Sequence, residues 1–163
     1  MTMNRQAFLS MLAWSEGTST SPATVCSGYD VIVTGMDGRP EVFTSFTSHP
    51  FANGRPPKRI NARGLCSSAS GRYQLLLRYW QAYSKLLGLR DFTAPSQDAI
   101  AIQQIKERGA LDAIDRGHIT TAIGSVSPLW ASLPGTGYEG QGQRHMPELI
   151  AAYVKAGGTL ANP

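Results

Sequence analysis

Asp30-Val31-Ile32-Val33-Thr34 and Glu41-Val42-Phe43-Thr44-Ser45-Phe46 are two β-branched or aromatic runs joined by Gly35-Met36-Asp37-Gly38-Arg39-Pro40. Residues that fit a pleated surface, separated by a link carrying Gly and Pro, predict a β-hairpin. On both sides the period changes to that of a helix. Upstream, the sequence predicts a helix with Asn4 as N-cap, running through Trp14 and ending near Gly17. Downstream, Leu75, Leu76, Tyr79, Trp80, Tyr83, Leu86 and Leu87 recur at helical spacing, which predicts a helix from about Gly71 to Leu87 stopped by Gly88. A third helix follows Thr93, has Pro95 in its first turn and reaches about Arg108. Shorter helices are expected over Leu111–Arg116, Ile119–Ile123, Pro128–Leu133 and Pro147–Lys155. Thr18–Gly28 reads as loop, and residues 47–70, rich in Pro, Gly and Ser, as mostly irregular. The expectation is an α+β fold, mainly helical, in a single domain over residues 1–163. A small β-lobe, about residues 28–70, is inserted between helices.

Composition bounds the function classes. A chain of 163 residues, 42% apolar, buries about two-thirds of its unfolded surface, so its core needs neither a metal nor a disulfide framework. Apolar runs fall far short of the roughly 18 to 20 residues of a membrane span. The opening Met1-Thr2-Met3-Asn4-Arg5-Gln6 lacks the basic-then-apolar order of a secretory signal, so cytoplasmic synthesis is expected. Cys26 and Cys66 show no C-x-x-C spacing and read as free thiols when made, with later pairing in an oxidising space left open. Fifteen Lys and Arg against eleven Asp and Glu favour polyanionic partners. No carboxylate occurs between Val42 and Arg90, a stretch that would attract nucleic acid, anionic lipid or an acidic wall polymer.

Most motifs fail on context. Gly135-Thr136-Gly137-Tyr138-Glu139-Gly140 matches a dinucleotide fingerprint literally, but Pro134 precedes it and no βαβ unit surrounds it, so it reads as a Gly-rich loop. His49, His118 and His145 are far apart and read as surface residues, and no metal or cofactor is expected. Tyr79, Trp80 and Tyr83 interleave with Arg72, Arg78 and Lys85 as in single-strand binders. The same three aromatics fall on the helix's apolar stripe, so core packing is the expectation and nucleic acid is not a predicted partner.

Trp14-Ser15-Glu16-Gly17-Thr18 carries the chemistry. Leu9, Leu12 and Ala13 lie seven, four and three residues before Glu16, so its carboxyl continues the buried face. Burial and the negative end of the helix dipole both disfavour the anion. A carboxyl that holds its proton near neutral pH can donate it to a leaving oxygen.

Seven collinear blocks carry a resemblance. They are Trp14–Thr18, Gly28–Val33, Ser48-His49-Pro50, Ser70–Leu76, Ser96–Ala99, Gln103-Gln104-Ile105-Lys106-Glu107-Arg108-Gly109-Ala110 and Trp130–Gly135. In this order the chain resembles the lambda-type phage endolysins, lytic transglycosylases of the lysozyme superfamily. The resemblance implies a lysozyme-like α+β fold with a small β-hairpin lobe flanking a cleft, and Glu16 as the catalytic acid. It also implies a cleft-lining Gly-x-x-Gln element in Gly71-Arg72-Tyr73-Gln74 and a tyrosine near the cleft in Tyr138; Tyr73, Gln74, Gln103 and Tyr138 are the expected hydrogen-bonding and stacking groups for the sugars. Glu139 is an insertion relative to that pattern, and Cys26 and Cys66 lie outside it, so a disulfide between them stays open.

Hydrolysis of a glycosidic bond ordinarily takes two carboxylates. Among five Glu and six Asp, Asp30 is the nearest second candidate, fourteen residues from Glu16. One acid suffices if the sugar's own C6 hydroxyl is the nucleophile. The expected activity is therefore a lytic transglycosylase that leaves 1,6-anhydromuramic ends on peptidoglycan; the alternative is a hydrolytic muramidase using Glu16 and Asp30. Its partners would be glycan strands and, indirectly, a holin that opens the inner membrane. The enzyme would be a monomer made in the host cytoplasm and acting in the periplasm.

Overall fold

The computed structural model of the chain describes residues 1–135 and 143–161. In order, it contains α1 (Met3–Ser15), β1 (Val31–Ile32), β2 (Glu41–Val42), β3 (Lys58–Arg59) and β4 (Cys66–Ser67). Then come α2 (Leu77–Leu87), α3 (Ala94–Glu107), α4 (Leu111–Asp115), α5 (Ile119–Val126), a 3-10 turn (Ser127–Leu129) and α6 (Met146–Lys155). The chain divides into two compact units, Met1–Glu16 with Ala101–Pro163, and Gly17–Ile100.

The first unit is helical. Its core is built from Phe8, Met11 and Leu12 of α1 with Ile114, Ile123 and Tyr153, all fully buried, and α1 packs against α4 and α6. The cap of α1 is Thr2, whose Oγ1 accepts from the Arg5 N–H at 3.2 Å, and not the expected Asn4. Asn4 is buried inside the first turn. Its Nδ2 donates to the Asp115 carbonyl at 3.1 Å, and its Oδ1 accepts from the N–H and Oγ1 of Thr159 at 3.0 and 2.9 Å. An amide with partners on both sides ties three segments together, whereas a cap would satisfy a single N–H. The helix expected over 128–133 shrinks to the Ser127–Leu129 turn, since Pro128 and Pro134 bracket it and Trp130 is extended.

The second unit holds the β structure. β1 and β2 pair antiparallel with Val31 opposite Val42 and Ile32 opposite Glu41, as the hairpin reading requires, although each strand is two residues long. A second hairpin, β3 with β4, occupies the stretch expected to be irregular. Lys58-Arg59 and Cys66-Ser67 carry no alternating apolar pattern, so the strands left no trace in the sequence. The turn did: Gly64 has φ +86° and Asn61 Oδ1 accepts from the Leu65 N–H at 3.0 Å. Cys26 and Cys66 are both free thiols. Cys26 sits in the turn against Asp30, while the exposed Cys66 lies 3.5 Å from the Gly64 carbonyl.

Behind the hairpins lies a core of Ile32, Phe43, Phe51, Leu75, Phe92 and Ile100, onto which Trp80 and Tyr83 of α2 pack. Tyr79 is 42% exposed, with the Arg78 guanidinium 4.8 Å from its ring centre, because it lies beside and not on the apolar stripe. Helix α2 starts at Leu77 and not Gly71, since Gly71 at φ +77° and Gln74 at φ +49° cannot continue a right-handed helix.

The histidines also depart from expectation. His118 and His145 are exposed, but His49 is fully buried among Phe51, Trp80 and Phe92. Its Nδ1 accepts from the Phe51 N–H at 3.3 Å and its Nε2 lies 3.0 Å from the Leu75 carbonyl, which fixes the neutral Nε2–H tautomer. Burial holds its pKa below the ordinary 6.5, only partly offset by the Leu75 hydrogen bond. As pH falls below 6.5, the unfolded chain therefore binds a proton that the fold refuses, and stability declines until the folded value is reached. Thermal unfolding at stepped pH is expected to show this decline in the native protein. In His49→Phe the decline below 6.5 should flatten, while overall stability drops by about 1–3 kcal/mol because the Phe51 N–H loses its acceptor and the Leu75 carbonyl keeps only the Ser70 N–H.

Candidate active site

Glu16 is the C-cap of α1; its N–H donates to the Leu12 carbonyl at 2.9 Å, and Gly17 at φ +73° ends the helix. The apolar spacing that places Leu12 and Ala13 in the core carries the Glu16 carboxyl to the edge of that core, where it is half-buried. Ser132 faces it. The Ser132 hydroxyl donates to Glu16 Oε1 at 2.5 Å, and its Oγ lies 3.0 Å from Ser15 Oγ. Ser15, buried on α1, donates in turn to the Leu12 carbonyl at 2.9 Å. Burial raises the Glu16 pKa above the ordinary 4.5, and the hydroxyl and backbone N–H of Ser132 offset only part of that rise. The segment carrying Ser132 is held by the Arg144 N–H, which donates to the Ser132 carbonyl at 2.8 Å, while the Arg144 guanidinium stacks 4.6 Å over the Trp14 ring. The arrangement is a half-buried carboxyl whose pKa burial raises, oriented by hydroxyls.

In the second unit, Asp30 is 1% exposed and turned into the loop before it. Its carboxylate accepts from Thr24 Oγ1 and from the Val25 N–H at 2.9 Å, and Cys26 adds a further hydrogen bond. Burial would raise its pKa, but these hydrogen bonds outweigh it and hold Asp30 ionised below the usual carboxylate range.

Tyr73 and Gln74 share the turn after Gly71. Tyr73 is buried and its hydroxyl donates to Asp98 Oδ1 at 2.6 Å, beside a second donation from Tyr29 at 2.9 Å. Burial, then the Asp98 carboxylate, push both phenols above their ordinary value. Gln74 is half-exposed; its Nε2 donates to the Gly71 carbonyl at 3.1 Å, leaving Oε1 without a partner among the described residues. The turn is anchored by buried Gln97, whose Oε1 accepts from the Arg72 N–H at 2.8 Å and whose Nε2 donates to the Phe92 and Tyr29 carbonyls at 2.8 and 3.0 Å. In the first unit, Gln103 lies on the surface of α3 and donates to Glu107 Oε1 at 2.9 Å. Tyr138 lies outside the described residues. Among the described residues no group of three or more His, Cys, Asp or Glu could hold a metal ion.

Sequence reasoning passed over Ser132, Ser15, Asp98 and Gln97 as functional or supporting groups. Nothing in hydrophobic periodicity marks a serine 116 positions from its partner; the available signal was that Ser132, Gln97 and Asp98 all fall inside the collinear blocks.

The chain is similar to known proteins along nearly its whole length. The sequence profile described as Endolysin matches residues 6–160. The chain is 54% identical to an endolysin of Escherichia phage P2 over 97% of its own length and 95% of the relative's. It is likewise 54% identical to the endolysin of Escherichia phage lambda, over 96% of this chain and 92% of that one. Among solved structures, the lysozyme of bacteriophage lambda complexed with a chitohexasaccharide superposes with a TM-score of 0.88 at 52% identity, covering 98% of this chain and 97% of that one. The fold is lysozyme-like, of the α+β class and mostly helical. The chain belongs to the Endolysin family.

Proposed function

We propose that this endolysin, a lysozyme-like enzyme that degrades the bacterial cell wall, is a lytic transglycosylase. In its acid form Glu16 gives its proton to the oxygen joining N-acetylmuramic acid to N-acetylglucosamine. The muramic acid's own C6 hydroxyl closes onto C1 as that bond breaks, and the Glu16 carboxylate takes up the hydroxyl proton. The nucleophile is tethered to the reacting ring, so proximity does the work of a second carboxylate, and no water is consumed. The product is a 1,6-anhydromuramic end.

The state of Asp30 carries this reading. It is the second acid a hydrolytic route would use, and its oxygens are occupied by Thr24, Val25 and Cys26 of its own loop. A glycan substrate is supported by the related lambda lysozyme, which binds a chitohexasaccharide. Gln74, with a free Oε1 and a backbone at φ +49°, is the residue we assign to sugar contact. Tyr73, its hydroxyl committed to Asp98, shapes the turn that presents Gln74. Gln103 and Tyr138 are proposed as further sugar contacts. Among the described residues no helix is long and apolar enough to cross a membrane, and in this proposal a separate holin opens the way from cytoplasm to periplasm. The enzyme acts as a monomer.

Mass spectrometry of digested sacculi tests the reaction. Muropeptides lighter by one water and inert to borohydride are expected; reducing muramic ends would overturn the assignment. Asp30→Asn should yield the same products, with nearly unchanged activity per folded molecule and a lowered unfolding temperature, because its loop loses charge-assisted hydrogen bonds worth about 1.5–3 kcal/mol. Loss of activity in a folded Asp30→Asn protein would favour the hydrolytic route.

A further inference from the structure

Behind Glu16 runs a file of hydroxyls: Glu16 Oε1, Ser132 Oγ at 2.5 Å, Ser15 Oγ at a further 3.0 Å, and the Leu12 carbonyl at a further 2.9 Å. Each serine has one proton to give. Counting those protons separates two arrangements. When Glu16 is an acid, every contact is filled in one direction: Glu16 donates to Ser132, Ser132 to Ser15, and Ser15 to the Leu12 carbonyl. When Glu16 is an anion it has no proton to give, so Ser132 must turn and donate to it. Ser15 then either keeps Leu12, leaving the contact between the serines without a proton, or turns to Ser132 and gives up Leu12. The acid arrangement makes three hydrogen bonds; the anionic one makes two, one of them charge-assisted.

We propose that Ser132 and Ser15 form a reversible hydroxyl relay that orients the Glu16 carboxyl in both protonation states its reaction passes through, Ser132 bonding to both and Ser15 favouring the acid. This rests on the transglycosylase reading, in which one carboxyl serves first as proton donor and then as acceptor. A hydrolase with two acids would divide those roles; a single carboxyl needs support that follows its proton. Ser132 and Ser15 touch Glu16 or each other and act through it, so both are positioning residues. The charged group brought to this neighbourhood is Arg144, occupied with Trp14, and no ion pair reaches Glu16 among the described residues. His145 and Glu148, next along the same segment, cap α6. Burial and the hydrogen bonds from Ser132 therefore bear on the Glu16 titration directly, and Ser15 through Ser132.

The two serines have unequal expected effects. Ser132→Ala removes one charge-assisted bond from the anion and two weaker ones from the acid, which nearly offset, so the Glu16 titration should stay near its native value. Ser15→Ala removes two bonds from the acid arrangement and one equally weak bond from the anionic, so it should move the titration downward. Ser132→Thr keeps the hydroxyl and should keep both the native titration and the native kcat. The titration is read directly by carbon-13 NMR of labelled glutamate, assigned by its loss in Glu16→Gln. It is read again from the basic limb of the kcat/KM profile on purified sacculi, where kcat should fall in Ser132→Ala with KM little changed. No downward shift in Ser15→Ala, or a shift in Ser132→Ala as large as that in Ser15→Ala, would overturn the relay. Should Ser132→Ala not fold, Ser15→Ala and Ser132→Thr still decide it by NMR. The NMR arm does not depend on which sugar ends are formed, so failure of the relay and failure of the transglycosylase reading are separate results.

Discussion

Glu16→Gln is expected to abolish wall lysis while leaving a folded protein that, at neutral pH, is more stable than the native one. The activity loss follows from removing the group that both gives and takes the proton; single acid–base residues are worth about 100- to 10,000-fold, and here one residue fills both roles. The stability gain follows from linkage. Burial raises the folded Glu16 pKa above 4.5, so the fold binds a proton that the unfolded chain releases. That preference is fully present below pH 4.5 and is lost as pH rises through the folded value, beyond which an ionised carboxyl has to be accommodated beside the core. Glutamine keeps the shape and an oxygen for Ser132 without the charge. Unfolding temperatures of the two proteins should therefore converge as pH falls towards 4.5 and separate above it. A variant that keeps most of its lytic activity, or one less stable than native at neutral pH, would remove Glu16 from the centre of the reaction or from its buried setting.

Gly71→Ala should be among the most damaging single-methyl additions to the second unit. At φ +77°, an added Cβ would lie 2.7 Å from Gln97 Cδ and 3.1 Å from Phe92 Cζ. Gln97 cannot withdraw without releasing the Arg72 N–H and the carbonyls of Tyr29 and Phe92, all held by its amide. Left-handed strain of about 1–2 kcal/mol adds to about 1–3 kcal/mol for buried groups left unpaired. At roughly 2–4 °C per kcal/mol for a chain of this size, the unfolding temperature should fall by on the order of 10 °C. Gly54→Ala is the control, since Gly54 has φ +81° but nothing within 4 Å of the added carbon. Equal losses in the two variants would mean that Gln97 does not anchor the turn. Because Gln74 is carried by the same turn, a Gly71→Ala protein that folds should also bind glycan more weakly.

The sequence was most legible where one residue decides its own conformation. Glu16 could be placed at a helix end beside the core because Leu9, Leu12 and Ala13 set the face, and the structure leaves it there half-buried. The hairpin could be read from Val31, Ile32 and Val42 because β-branched residues report directly on extended backbone. Side-chain partners remote in sequence were not legible. Asn4 looks like a cap until Thr159 and Asp115 are seen on either side of it. His49, next to a proline, looks like a surface residue until three aromatic rings close over it. The second hairpin was missed because its pairing joins Lys58-Arg59 to Cys66-Ser67, residues whose polarity argues for loop. Ser132 was missed because a hydroxyl has no period, and its importance lies wholly in what stands 2.5 Å away.

The unequal settings of the two free thiols have a practical side. Cys66 is exposed on β4, whereas Cys26 is half-buried and its thiol is pushed up by burial and by Asp30, which suppresses the reactive thiolate. A maleimide dye offered to the native protein near neutral pH would accordingly settle on the second hairpin alone, giving a fluorescent reporter on that hairpin with no engineered cysteine.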